Sequence, residues 1–149
     1  MPTIAYPYLL LLHLSGAIAF GGTVFFEVLI LEGVRRRVPA RVMTLVEGGI
    51  GVRARQVIPW VLLVLYGSGL SMALHHRGVL AHPLASSFGL LLAIKVTLAA
   101  SVLGHAVYAL VLRRNDRLAG RASRILHLSV FAHVLAIVVL AKAMFFVHW

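Results

Sequence analysis

The sequence predicts an all-α integral membrane protein, a four-helix bundle with both termini outside and a short interfacial helix before the second span. Three observations carry this. Of the 149 residues, 61% are hydrophobic and only 12% charged, against about 45–50% and about 25% in soluble domains. Four apolar segments, at about residues 4–31, 57–75, 84–112 and 125–147, each meet or approach the ~20 residues a helix needs to cross the hydrocarbon core. Membrane strands would instead give segments of about ten residues alternating in polarity, and that pattern is absent. Residues 1–149 therefore read as one four-span membrane domain.

The first segment reads as a permanent span and not as a signal peptide. No Lys or Arg precedes Arg35, and the apolar run exceeds the ~7–15 residues of a signal h-region. Before the second span, Val42, Leu45 and Val46 recur at helical spacing, as in a helix lying in the interface. Gly48, Gly49 and Gly51 would let that helix bend toward Pro59. Small residues mark where helices can approach closely: Gly16, Gly21 and Gly22, then Gly67, Ser68 and Gly69, then Ala99, Ala100, Ser101 and Gly104. Packing alone accounts for all of them, and no internal repeat is evident.

The charge sets the orientation. Arg35, Arg36, Arg37, Arg41, Arg53 and Arg55 lie in the first loop; Arg113, Arg114, Arg117, Arg121 and Arg124 lie in the third. Only Arg77 lies in the second, an asymmetry of eleven to one. Basic loops stay in the cytoplasm, so both termini fall on the periplasmic side. The net charge of +10 is thus explained by topology, and nucleic acid is not an expected partner. With no cysteine in the chain, disulfides, thiolate metal sites and iron–sulfur clusters are excluded.

Ionisable residues inside the apolar segments are the candidate functional groups, because each costs at least ~2.5 kcal/mol to insert. The third span, 88–112, holds two of them, Lys95 and His105. At about 1.5 Å per residue, His13 and Lys95 share an outer level, with Lys142 somewhat shallower. His105, His133 and Glu27 share an inner one, so His105 and His133 can face one another. At about 100° per residue, His13 and Glu27 fall on one face and Lys95 and His105 can both point inward. His133 and Lys142 fall on opposite faces, so one of them points away from the bundle.

Two neutral imidazoles at one depth on different helices could serve as axial ligands of a haem b between apolar walls. The candidate ligands are His13, His105 and His133, with Glu27 beside them and Lys95 as a point charge for a propionate. The plain alternative is that each His hydrogen-bonds a neighbouring helix. A separate outer-rim group, Met72, His75, His76 and His82 with Met144 and His148, offers the imidazole and thioether donors that suit copper, or simply an interfacial belt closed by Trp149. There is no phosphate loop, nucleophile elbow or carboxylate pair.

The layout resembles the small four-span family that includes HemJ-type protoporphyrinogen oxidase and the membrane domain of CopD copper-resistance proteins. The likeness is carried by His13-Leu-Ser-Gly-Ala-Ile-Ala-Phe-Gly-Gly, by Lys95 with His105 ten residues on, and by Val138-Val-Leu-Ala-Lys142-Ala-Met-Phe-Phe146. Phe20 stands where HemJ-like chains have Trp, Ser123-Arg-Ile-Leu-His replaces an Asn-Glu-Pro turn, and His133 is additional. The resemblance implies a haem or tetrapyrrole ligand, or a copper-handling role. The leading expectation is a bacterial inner-membrane haem b protein with a redox role, for which a membrane oxidoreductase is one form. A tetrapyrrole or quinone, a redox partner, membrane lipid and a second copy of the chain are its expected partners. The alternatives are copper transport or resistance through His75, His76 and Met72, and a non-catalytic assembly subunit.

Overall fold

The structure, a computed structural model, describes residues 5–114 and 121–147. It is 92% helix, and no strand occurs among the described residues. Four helices are long and apolar enough to cross a membrane: Ala5–Arg35, Ala40–His75, Ser87–Leu112 and Ser123–Ala143. The chain divides into two compact units, Met1–His75 and His76–Trp149.

In the first unit, α1 (Ala5–Phe25) runs through a π-helical turn (Phe26–Leu31) into α2 (Glu32–Arg35). No charge interrupts it before Glu27. Pro7 sits in the first turn, where a missing N–H costs least. After a turn at 36–39 the chain enters α3 (Ala40–His75), which packs on α1. Tyr6 stacks on His75, His13 meets Leu65 and Gly69, and Gly16 meets Leu65. Rising numbers on α1 meet falling numbers on α3, so the pair is antiparallel.

The short interfacial helix expected before the second span is not a separate element. Residues 40–75 form one 36-residue helix that passes through the three glycines and Pro59. Glycine weakens a helix without ending it, and apolar helices tolerate an interior proline. At about 1.5 Å per residue such a helix spans roughly 54 Å, well beyond a hydrocarbon core of about 30 Å. The excess is the N-terminal part, which carries Arg41, Glu47, Arg53 and Arg55. Arg35 donates from Nε to Glu47 at 2.9 Å and from Nη1 to Glu32 at 2.8 Å, and its Nη2 also pairs with Glu47. This ties α2 to the start of α3.

In the second unit, α4 (Arg77–Ala81) and a 3-10 turn (Pro83–Ala85) lead to α5 (Ser87–Arg114), followed by α6 (Arg121–Ala143). The start of α5 is set locally. Ser86 is extended and its Oγ accepts the Gly89 N–H at 3.1 Å, an N-cap. A Cβ on Gly89 would come within 3.0 Å of the Pro83 carbonyl, so only glycine lets the turn lie this close. Phe88 stacks on Phe145, and Ser101 meets His133 while His105 meets Ser129. α5 and α6 are therefore antiparallel too.

Few apolar side chains are buried among the described residues: Val24, Leu31 and Met43 in one unit, Val102, Leu126, Val134 and Met144 in the other. Large apolar side chains such as Ile18 and Trp60 stand 67% and 68% exposed. In water such a surface would drive aggregation; in lipid it faces a solvent as apolar as itself.

Candidate functional site

The costly residues gather in two places, one in each unit. In the first, His13 projects from α1 onto α3. Its Nδ1 lies 3.0 Å from the carbonyl oxygen of Leu65 and 3.4 Å from the Ser68 hydroxyl. A carbonyl can only accept, so Nδ1 carries the proton and Nε2 is the lone-pair nitrogen. Ser68, itself buried, sends its own proton to the Val64 carbonyl at 2.6 Å. The ring lies on bare backbone: a Cβ at Gly69 would approach its Cε1 to 2.9 Å and its Nδ1 to 3.1 Å. Gly16 opens the same interface, since a Cβ there would meet Leu65 Cα at 3.1 Å.

In the second unit, His105 and His133 face one another, with ring centroids 5.2 Å apart and planes tilted by 55°. Each Nδ1 lies 2.7 Å from the carbonyl oxygen four residues earlier on its own helix, Ser101 for His105 and Ser129 for His133. Each Nε2 meets the serine of the opposite helix, Ser129 Oγ at 2.9 Å from His105 and Ser101 Oγ at 3.1 Å from His133. With the carbonyls fixing the protons on Nδ1, both hydroxyls donate to Nε2. The result is a crossed square of two histidines and two serines whose polar atoms are satisfied without a charge.

The expected meeting of His105 and His133 is therefore present; of the two serines that complete it, Ser101 reads from the sequence only as a small packing residue and Ser129 is not singled out. Their signal was available. Ser101-Val-Leu-Gly-His105 and Ser129-Val-Phe-Ala-His133 share the pattern Ser-Val-x-x-His. On antiparallel helices, that spacing brings each serine level with the other helix's histidine.

The remaining candidates are dispersed. Lys95 is half-buried on α5 and makes no hydrogen bond or ion pair among the described residues. Lys142 is exposed on α6, on the side away from His133. Glu27 lies in the π-helical turn, a feature often found near functional residues. Of the copper candidates, the ring of His75 stacks on Tyr6 at 5.3 Å and that of His76 on Phe88 at 6.0 Å. Met72 is half-buried, His82 exposed and Met144 buried; His148 lies outside the described residues. No three His, Asp or Glu side chains gather to hold a metal ion among the described residues.

Does either place fit a haem? Bis-histidine ligation needs both Nε2 lone pairs aimed at one iron from opposite faces of a flat macrocycle. The Nε2 atoms of His105 and His133 point in opposite directions, each into a serine on the other helix. The two rings lie too close for a macrocycle between them. This pair, as arranged, does not fit. His13 does fit a single axial ligand. Its Nδ1–H is tied to a backbone carbonyl, the outer bond that ligating histidines commonly make, and Gly69 holds its ring orientation. Family models, curated proteins and solved structures yield no match to the chain, so the functional reading rests on these geometries and on the sequence resemblance.

Proposed function

We propose that the chain is a multi-pass protein of the bacterial inner membrane that binds haem b through His13 and has a redox role. The observation that carries it is the His13 seat: Nδ1 pinned to the Leu65 carbonyl and the ring laid against Gly69. That seat makes Nε2 the donor nitrogen and holds the ring against rotation, which is what an axial ligand needs. A bound haem supplies one-electron chemistry, and the protein's part is ligation, orientation and the apolar surround. In the second unit, the ammonium of Lys95 is available to a carboxylate of a tetrapyrrole or of a substrate. The arginine asymmetry supports cytoplasmic first and third loops and periplasmic termini. The HemJ/CopD-like layout supports the same class of ligand.

Protein expressed with ample haem should show a Soret band and a pyridine haemochrome of the b type. His13→Ala should abolish both, while His105→Ala and His133→Ala leave them. A colourless wild type, or a Soret band that survives His13→Ala, would refute the reading. The satisfied hydrogen bonding of the crossed square favours the assembly-subunit reading instead, which predicts a colourless protein that purifies with a partner.

A further inference from the structure

We infer that the crossed square on α5 and α6 is a membrane-embedded proton-binding site that takes up one proton per pair of imidazoles. This inference stands whether or not His13 carries a haem.

In the neutral state every polar atom of the square has one role. The backbone carbonyls of Ser101 and Ser129 accept from Nδ1, and the two hydroxyls donate to Nε2. Carbonyls cannot reverse, so Nδ1 stays protonated. Hydroxyls can reverse, because a serine oxygen carries one proton and two lone pairs. When a proton from water binds Nε2 of His105, the ring becomes a cation with N–H on both sides. The Ser129 hydroxyl then turns its proton away and accepts at the same 2.9 Å. No heavy atom has to move. By the crossed geometry, His133 and Ser101 offer the same at 3.1 Å.

The second proton meets a different situation. The two rings lie 5.2 Å apart, and an apolar surround screens like charges weakly. The other ionisable side chains of these helices bring no relief. α5 carries Lys95 and Tyr108, with Arg113 and Arg114 at its end; α6 carries Arg121, Arg124, His127 and Lys142. The preceding α4 and 3-10 turn, with their flanking residues, add His76, Arg77 and His82. None is a carboxylate that could neutralise a second imidazolium. One proton is accommodated by turning one hydroxyl; a second meets only the like charges of these elements, none of them a carboxylate.

The test uses the full chain labelled with 15N-histidine in lipid nanodiscs, titrated between about pH 8 and 5, the range in which imidazole charge changes. His105→Gln and His133→Gln assign the two rings. At the alkaline end both should show a protonated Nδ1 and a bare, hydrogen-bonded Nε2. On acidification the wild-type pair should take up one proton in total, and the remaining imidazole of each single variant should take up one alone. Two protons in the wild type, or none over the range, would overturn the inference. If the glutamine variants fail to fold, Ser129→Ala and Ser101→Ala assign the rings instead. Each should move the Nε2 resonance of the histidine on the opposite helix; movement of the same-helix histidine instead would overturn the geometry itself.

Discussion

The crossed square makes an energetic prediction that ordinary helix packing does not. Ser101 donates to His133 and Ser129 to His105, whereas the bond from His105 to Ser101 uses the backbone carbonyl. Replacing Ser101 by Ala therefore deletes the bond to His133 and leaves the bond from His105 intact. Hydrogen bonds between membrane helices average about 0.6 kcal/mol and reach about 1.7. An acceptor left buried and unpaired costs about 1–3 kcal/mol, which places each serine substitution at roughly 1 kcal/mol or somewhat more. Double-mutant cycles with Ala at Ser101 and His133, and at Ser129 and His105, should each give a coupling of about 0.6–1.7 kcal/mol. The same-helix cycles, Ser101 with His105 and Ser129 with His133, should stay within the ~0.3–0.5 kcal/mol expected of independent sites. Reversible unfolding of the purified protein in mixed micelles, titrated with denaturing detergent, supplies the free energies. Same-helix couplings as large as the crossed ones would refute the assignment of which group bonds to which.

Three further predictions concern the first unit and the topology. Gly16→Ala pushes a Cβ against the Leu65 backbone at 3.1–3.2 Å and should cost roughly 1–3 kcal/mol, whereas Gly22→Ala, with open space around it, should be neutral or gain up to ~1 kcal/mol of helix propensity; thermal midpoints in detergent compare them. Gly69→Ala must displace the His13 ring from 2.9 Å and should weaken or lose the Nδ1 bond to Leu65, read as a shift of the His13 Nδ1 resonance; an unchanged resonance would show that the glycine does not hold the ring. Because the chain has no cysteine, Arg77→Cys and Arg37→Cys give single labelling sites. The first should react with an impermeant thiol reagent in intact cells and the second only after lysis, and the reverse pattern would invert the proposed orientation.

The helical architecture was legible because it depends on quantities that sum along the chain. Four long apolar runs can only satisfy their backbone groups in lipid as helices or closed barrels, and a period-2 pattern is missing. What escaped the sequence depends on single contacts. The basic stretch at 40–56 reads as a separate interfacial helix because glycines and a proline suggest a break. Yet α3 continues through them, since glycine weakens a helix without ending it and apolar helices tolerate an interior proline. Depth arithmetic was enough to bring His105 opposite His133, because antiparallel helices pair residues by level. It could not show that serines one turn away would occupy both Nε2 atoms. A serine in an apolar helix bonds just as well to the carbonyl of its own preceding turn, as Ser71 does with Gly67.

The three membrane-depth histidines share one electronic state, reached by different means. In each, a backbone carbonyl takes the Nδ1 proton: Leu65 from the facing helix for His13, the residue four positions back for His105 and His133. What differs is the wall the ring meets. The second unit offers a hydroxyl, which can donate or accept and so tolerates a change of proton number without rearrangement. The first offers the bare backbone of Gly69, which holds the ring by shape. A carboxylate in either place would have fixed an imidazolium and left an ion pair to be desolvated, a costly arrangement in lipid. With a carbonyl on each Nδ1, serine at one site and glycine at the other leave Nε2 as the lone-pair nitrogen of all three rings. As proposed, the pair then exchanges protons and His13 holds a ligand.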